Sequence, residues 1–547
     1  MSLLDNTVGE VLKSWAAKIP EHEAYVYPEL GLRRTYEKFD QETDDLAKAF
    51  IGMGIQKGEN VAIWSDNKPQ WLLSQFATGK MGAVLVTVNT SYQAKELEYL
   101  LKQSEATTLI LDERFKKTCY IDIIRSICPE LEQTEDGVVS SGSLPNLKRI
   151  ILMSDRQEKG IYKWSEFLAH ATGITDEDLR ERQQTMTPDD VINIQYTSGT
   201  TGFPKGVMLT HRNIVNNGKI IGDYMKLTSE DRVCIPVPFF HCFGCVLGNM
   251  AAVTHGSTMV IIEQFDPVKV LNAVQEEKCT ALHGVPTMFI AELDHPDFTK
   301  YDTSTLRTGI MAGSTCPIEV MKKVISDMGA SEITICYGQT ESSPVITQTQ
   351  TDNPIEKRVS TVGKPHPHVE VKIIDPATGV ELPVGSPGEL CTRGYHVMKG
   401  YYNDAVATRE AIDEEGWLHT GDIAVMDEEG YIDITGRIKD VIIRGGENIY
   451  PREVEEFLYT HPGISDVQIV GVPDPKYGEE LMAWIIPKQN ANLNEEKVRA
   501  FCQGNISHHK IPKYIHFTDA YPMTASGKIQ KFKLRELSIE KTLSHQS

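Results

Sequence analysis

The chain contains no apolar run approaching the roughly 18 residues that a membrane span requires. It has no even cysteine framework of the kind that staples small secreted domains, and too little positive charge to build a broad basic field. Lys and Arg number 55 against 76 Asp and Glu, a formal charge of −21, so nucleic acid and an anionic membrane are poor partners. An anionic ligand has to be held by local groups instead. Ten Cys scattered over 547 residues fit free thiols in a reducing compartment. The first twenty residues carry Asp5 and Glu10 and show neither a basic-then-apolar signal nor an Arg-rich, acid-poor transit pattern. Internal repeats and low-complexity tracts are also missing. A cytoplasmic enzyme is the expectation.

What is present is an alternation of periods. A chain of 547 residues is too long for one core and predicts about two to four packed units. Phe39, Leu46, Phe50 and Met53 recur at helical spacing before Gly54, the apolar run Val61 to Trp64 follows, Pro69 opens a second helix, and Ala83 to Val88 forms another buried strand. Strand, helix, strand implies parallel pairing. Further strands are expected at Thr108 to Leu111, Arg149 to Met153, Val191 to Tyr196, Thr258 to Ile262 and Ile333 to Cys336, with 129–147 as a surface excursion. Beyond about residue 355 come short alternating runs, Val369 to Ile374, Glu389 to Thr392 and Tyr431 to Thr435, which predict an antiparallel or barrel-like piece. From Gly436 a compact α+β pattern takes over, with Val441 to Ile443, a helix from Pro451, Val467 to Val470 and Leu481 to Ile486. The expected fold is α/β. A large N-terminal part, 1–436, with a β-rich section at 355–436, is followed by a smaller mobile α+β part, 437–547.

The segment Tyr196-Thr-Ser-Gly-Thr-Thr-Gly-Phe-Pro-Lys-Gly206 follows a buried strand and concentrates hydroxyls, glycines and one Lys. Such a loop wraps phosphates: Gly lets the backbone approach, N–H and hydroxyl groups donate, and Lys205 adds charge. It does not fit the Walker spacing, because Lys205 precedes its final Gly and no Ser or Thr follows it.

Together with Tyr337-Gly-Gln-Thr-Glu341, His419-Thr-Gly-Asp422, Gly436-Arg-Ile-Lys-Asp440 and Pro522-Met-Thr-Ala-Ser-Gly-Lys528, this loop resembles the adenylate-forming superfamily. Within it the chain is most similar to acyl-CoA synthetases of the medium-chain type. The resemblance runs from about residue 8 to 540. It implies activation of a carboxylic acid by ATP as an acyl-adenylate, release of pyrophosphate, and transfer of the acyl group to coenzyme A.

The resemblance also implies roles. Ser198, Gly199, Thr200, Thr201, Gly202, Phe203, Pro204, Lys205 and Gly206 would hold the β- and γ-phosphates, Thr340 would hydrogen-bond near the α-phosphate, and Glu341 would bind Mg²⁺, a hard cation suited to oxygen ligands. Lys528, on a mobile part, would reach the α-phosphate and the substrate carboxylate during adenylation only. Asp422 suits the ribose, since a carboxylate accepts two hydrogen bonds from a vicinal diol, and Arg437 would contact ribose and phosphate. Tyr337 offers a ring face for adenine, with Gly313 letting the base lie against backbone. Lys439 falls at the family's hinge, about which a rotation would replace Lys528 by the loop Arg444-Gly445-Gly446, where the pantetheine arm of CoA would pass. A plain tight turn explains the paired glycines nearly as well.

The acyl pocket is expected along Pro238 to Gly248, walled by Ala281 to Gly284 and Ala312 to Ser314, with His241 between pocket and adenylate. No carboxylate stands there to bind an α-ammonium, so a plain acid, of medium or long chain, is favoured over an amino acid. Cys242-Phe-Gly-Cys245 is formally C-x-x-C, but without a second pair it reads as small pocket-lining residues. The alternatives are an adenylate former for an aryl or other acid, one that loads a carrier protein in trans, or a nucleotide-binding protein without turnover. No sequence feature points to an oligomeric state, and a homodimer stands only as the commonest symmetric assembly.

Overall fold

The computed structural model describes residues 2–134, 137–197, 204–314, 316–489, 491–524 and 527–544. Ser198, Gly199, Thr200, Thr201, Gly202 and Phe203, most of the expected phosphate loop, lie outside the described residues.

Two large sheets sandwich a layer of helices. The first runs Gly400–Tyr401, Lys205–Thr210, Val191–Thr197, Val84–Thr87, Asn60–Trp64, Thr108–Leu111, Arg149–Leu152. Its last five strands pair parallel in sequence, as the alternation of strand and helix requires. The second, nine-stranded sheet has the parallel centre Thr258–Ile261, Arg232–Ile235, Ala281–Gly284, Thr308–Met311, Glu332–Tyr337. Helices Val8–Lys18, Tyr36–Gly52, Pro69–Met81 and His211–Tyr224 fill the space between the sheets. Their buried faces, Leu12, Phe39, Phe50, Phe76 and Ile221 among them, join inward-facing residues of both sheets in one core. The outer face of each sheet has its own helices and its own core.

The stretch 129–147, expected at the surface, is irregular after the turn Pro129–Gln133, yet Leu131, Val139, Leu144 and Leu147 are buried. These apolar residues drop from the strap into the outer core of the first sheet, which is why its polar composition misled.

The β-rich section is a four-stranded antiparallel sheet, Val369–Ile374, Gly388–Gly394, Leu418–Met426, Ile432–Arg437. The turn Ile438–Asp440 then leads into a small C-terminal lobe. There a sheet centred on Ile464–Asp474 and Gly478–Pro487 has helices Pro451–Tyr459 and Glu495–Cys502 on one face and Leu534, of the helix Lys531–Ser544, on the other. Among the described residues no helix is long and apolar enough to cross a membrane.

Candidate active site

Side chains of the large lobe gather where open α/β sheets place ligands, beyond the carboxyl ends of parallel strands. His241 follows Arg232–Ile235, Val285 and Thr287 follow Ala281–Gly284, Gly313 follows Thr308–Met311, and Tyr337 ends Glu332–Tyr337. The flanking strand Lys205–Thr210 runs antiparallel to Val191–Thr197, with Lys205 opposite Thr197 and Gly206 opposite Tyr196. The ends of the expected loop are therefore strand. A side chain at Gly206 would be tightly packed: a Cβ would lie 3.0 Å from Ile194 Cγ2 and 3.2 Å from the Tyr196 ring. Pro204, Lys205 and Gly206 border a cleft shared with Tyr99, Gln103 and Tyr402.

Lys528 enters this site from the small lobe. Its turn is closed by Thr524 N–H donating to Lys528 O at 2.7 Å and Lys528 N–H donating to Thr524 Oγ1 at 3.0 Å. Gly527 adopts φ 78°, where any side chain is strained, and a Cβ would stand 3.2 Å from Val285 Cγ2. Thr287 Oγ1 donates to the Gly527 carbonyl at 3.1 Å, tying the turn to the large lobe. Lys528 Nζ then lies 3.2 Å from His241 Nε2. Gly313, at φ 91°, makes room: a Cβ there would be 3.2 Å from Lys528 Cε. Desolvation, with Arg437 adding repulsion, lowers the Lys528 pKa to about 8. His241 is lowered well below the usual histidine range, by burial first and by the Lys528 charge second. Both shifts disfavour a second positive charge at this contact.

Asp422 is aimed by a bulge. Between Gly388–Gly394 and Leu418–Met426 the pairing slips, from Glu389 opposite Ile423 to Cys391 opposite His419, so Thr420, Gly421 and Asp422 stand against Leu390 alone. Tyr337 OH donates to Asp422 Oδ2 at 2.6 Å, and Arg437 Nε lies 3.3 Å from Oδ1. Burial raises the Asp422 pKa against the opposing pull of Arg437 and Tyr337. The structure thus gives the Tyr337 hydroxyl a partner that its position after an apolar run does not disclose, while Arg437 is 68% exposed at the mouth of the site.

Glu341 and the buried Thr340 lie on the turn Thr340–Ser342. Tyr401 OH donates to Glu341 Oε1 at 2.9 Å, and Thr197 Oγ1 lies 3.5 Å from the same oxygen. The surroundings are oxygen donors, and one carboxylate is what Mg²⁺ ordinarily takes from protein beside substrate phosphates, so the residues fit that ion. Tyr401 was missed in the sequence. It also lies under Lys205, whose Nζ is 5.0 Å from the ring centre. Its only signal is its place in Gly400-Tyr-Tyr402, nearly 200 residues from the loop it serves.

Cys242 Sγ donates to Gln195 Oε1 at 3.0 Å, and Gln195 Nε2 donates to Cys245 Sγ at 3.1 Å. Both thiols are free and buried, and burial pushes Cys245 up to about 12, the opposite of a redox-active pair. Phe243–Met250 continues as a π-helix, a form frequent at functional sites.

Not every expected residue reaches the centre. Gly445 and Gly446, at φ 61° and 91°, form the two-residue turn of the hairpin Ile442–Arg444 and Glu447–Ile449. Arg444 pairs with Glu480 at 2.8 and 2.9 Å and stacks over Tyr477, all within the small lobe. Lys439, on the turn Ile438–Asp440, is exposed.

Residues 12–402 match the AMP-binding enzyme family, and 453–528 match the AMP-binding enzyme C-terminal domain. The chain belongs to the AMP-binding enzyme family. YngI of Bacillus subtilis (strain 168) is 58% identical over 538 residues, covering 98% of both chains. The mitochondrial medium-chain acyl-CoA ligase ACSF2 of Bos taurus is 43% identical over 544 residues, covering 98% of this chain and 88% of the relative. Among solved structures, the anthranilate CoA ligase AuaEII with anthranoyl-AMP superposes at a TM-score of 0.85 with 25% identity, covering 99% of each chain. ATP-bound MatB from Rhodopseudomonas palustris superposes at 0.83 with 27% identity, covering 97% of this chain and 99% of that one. This AMP-binding enzyme is an adenylate former, and its two-lobed α/β architecture is that of its solved relatives.

Proposed function

We propose that this enzyme is an ATP-dependent acyl-CoA synthetase acting on a medium- or long-chain carboxylic acid in the cytoplasm. The observation that carries the reading is the meeting of the lobes: Lys528 Nζ stands 3.2 Å from His241 Nε2 at the strand ends of the large lobe. Medium chain length follows the ACSF2 relatives, and the apolar Phe239, Phe240 and Phe243 beside His241 support an aliphatic substrate.

Adenylation brings a carboxylate and a triphosphate together, in a molecule of net charge −21. An oxygen of the carboxylate attacks the α-phosphorus, the bond to the β-phosphate bridging oxygen breaks, and pyrophosphate leaves. Lys528, released from His241, balances charge on the α-phosphate and the carboxylate, an electrostatic contribution delivered only when the lobe is docked. Pro204, Lys205 and Gly206, with Ser198 to Phe203, hold the β- and γ-phosphates. Asp422, swung from Tyr337, takes the ribose hydroxyls, and Arg437 covers ribose and phosphate at the mouth. Glu341, oriented by Tyr401, would hold Mg²⁺ at the phosphates, where the ion supplies Lewis-acid neutralisation, and Thr340 hydrogen-bonds near the α-phosphate. His241 separates acyl group from nucleotide.

For the second step the chain turns at Lys439, between the units 1–436 and 437–547. Lys528 withdraws, Arg444, Gly445 and Gly446 are presented, and the thiolate of coenzyme A attacks the acyl carbonyl with AMP as leaving group.

Pyrophosphate release is to be measured across acids from acetate to palmitate, with benzoate and free amino acids alongside, in the presence of coenzyme A. A maximum among saturated acids of about six to twelve carbons, with thioester formed in step, is expected. A preference for benzoate or amino acids, or release without thioester, overturns the assignment.

A further inference from the structure

Outside the site just described, one cluster gathers thiol, imidazole and carboxylate groups that the adenylation reaction does not use. It lies on the four-stranded sheet. Glu389 and Cys391, two apart in Gly388–Gly394, share a strand face, and Cys391 stands directly opposite His419 on Leu418–Met426. His419 Nδ1 is 3.2 Å from Glu389 Oε2 and 3.5 Å from Cys391 Sγ. The three ligand atoms all lie within 4.8 Å of one another. On the far side of the ring, His419 Nε2 faces Asp413 Oδ2 at 3.6 Å.

We propose that Glu389, Cys391 and His419 form a zinc site. Zinc takes imidazole nitrogen and carboxylate oxygen at about 2.0–2.2 Å and thiolate sulphur at about 2.3 Å in a tetrahedron. From those bond lengths, the edge between nitrogen and oxygen is about 3.3 Å and that between nitrogen and sulphur about 3.6 Å. The separations from His419 Nδ1, 3.2 and 3.5 Å, match both. The set of thiol, imidazole and carboxylate suits a borderline-soft ion and is wrong for Mg²⁺ or Ca²⁺.

Asp413 supplies what ligating histidines ordinarily have, a carboxylate on the other ring nitrogen that fixes tautomer and orientation. Access is one-sided. Cys391 is fully buried and the Glu389 side chain 11% exposed, while the His419 side chain is 31% exposed, leaving a solvent face where water completes the shell. Binding sends the thiol proton to solvent and leaves a thiolate on the metal. Glu389 Oε1 also accepts the Gly421 N–H at 3.0 Å, so the site is anchored to the bulge carrying Asp422.

The test needs no turnover. Full-length protein, stripped by chelator, is titrated with Co²⁺ and separately loaded with one equivalent of Zn²⁺. The expected result is a near-ultraviolet thiolate-to-cobalt band saturating at one equivalent. X-ray absorption of the zinc form should show one sulphur at about 2.3 Å and two or three nitrogen or oxygen neighbours at about 2.0–2.2 Å. Cys391→Ser should abolish the band, and Asp413→Asn should keep it while weakening affinity about 10-fold. Absence of the band, its persistence in Cys391→Ser, or an all-oxygen shell would overturn the site. If Cys391→Ser does not fold, the wild-type absorption spectrum and His419→Ala decide.

Discussion

Lys528 and Arg444 both sit beside left-handed glycines of the small lobe, Gly527 at φ 78°, and Gly445 and Gly446 at φ 61° and 91°. Arg444 is already paired: Glu480 takes two of its N–H groups, Tyr477 takes its face, and the Glu480 side chain is only 3% exposed. Lys528 is left facing a neutral imidazole, with its pKa lowered to about 8. A cation already neutralised is a structural element. A cation desolvated without a carboxylate is poised to pair with an incoming anion. On the proposed mechanism, one turn is prepared for chemistry in the docked arrangement and the other is held in reserve.

The sharpest break of this contrast comes from exchanging the two charges for alanine. Lys528→Ala should lower the rate of adenylation about 10²- to 10³-fold, the size expected on removing one preorganised electrostatic partner, as read by carboxylate-dependent pyrophosphate release. Arg444→Ala should leave that rate within about 3-fold and slow thioester formation about 10-fold. Leaving Glu480 buried without its partner should also lower stability by about 3 kcal/mol in urea unfolding. Equal losses of adenylation in both variants would erase the distinction.

Between these in kind lies the turn itself. Gly527→Val places a branched side chain at φ 78° and within 3.2 Å of Val285 Cγ2. It should cut adenylation tens-fold while the same change at Gly446, which has open space around it, cuts it a few-fold at most. Comparable losses at both positions would mean that backbone strain alone, and not delivery of Lys528, decides the rate.

A further test is of pH. In the docked arrangement the Lys528 pKa is lowered from its ordinary 10.5 to about 8, so relative to a solvated lysine the docked form binds fewer protons between those values. Docking of the nucleotide-free lobes should be flat below about pH 8 and tighten as pH rises from about 8 to 10.5. A donor–acceptor pair across the lobes reads this, and Lys528→Met should flatten the profile. An unchanged profile in Lys528→Met would assign it to other groups.

Much of the fold was legible because buried parallel strands, covered on both faces, are continuous apolar runs bounded by turns: Thr108–Leu111 is found where Thr108 to Leu111 was expected. Strands lacking that signature were missed. Lys205–Thr210 carries Lys and Gly at its start and looks like loop, and Ala281–Gly284 contains His283, so it was read only as pocket wall. The candidate site was legible as motifs and not as geometry. Nothing local says that Tyr337 will meet Asp422 across 85 residues, that Tyr401 will hold Glu341, or that a bulge against Leu390 will turn Asp422 inward. Those depend on register between strands distant in the chain, which no window of sequence contains.

The central claim, that Lys528 serves the first half-reaction alone, is tested most directly by giving Lys528→Ala a synthetic acyl-adenylate and coenzyme A in a single-turnover experiment. The account predicts thioester formation within about 3-fold of the unmodified enzyme, alongside a near-complete loss of product from acid and ATP. Loss of thioester formation to the same degree as adenylation would contradict it.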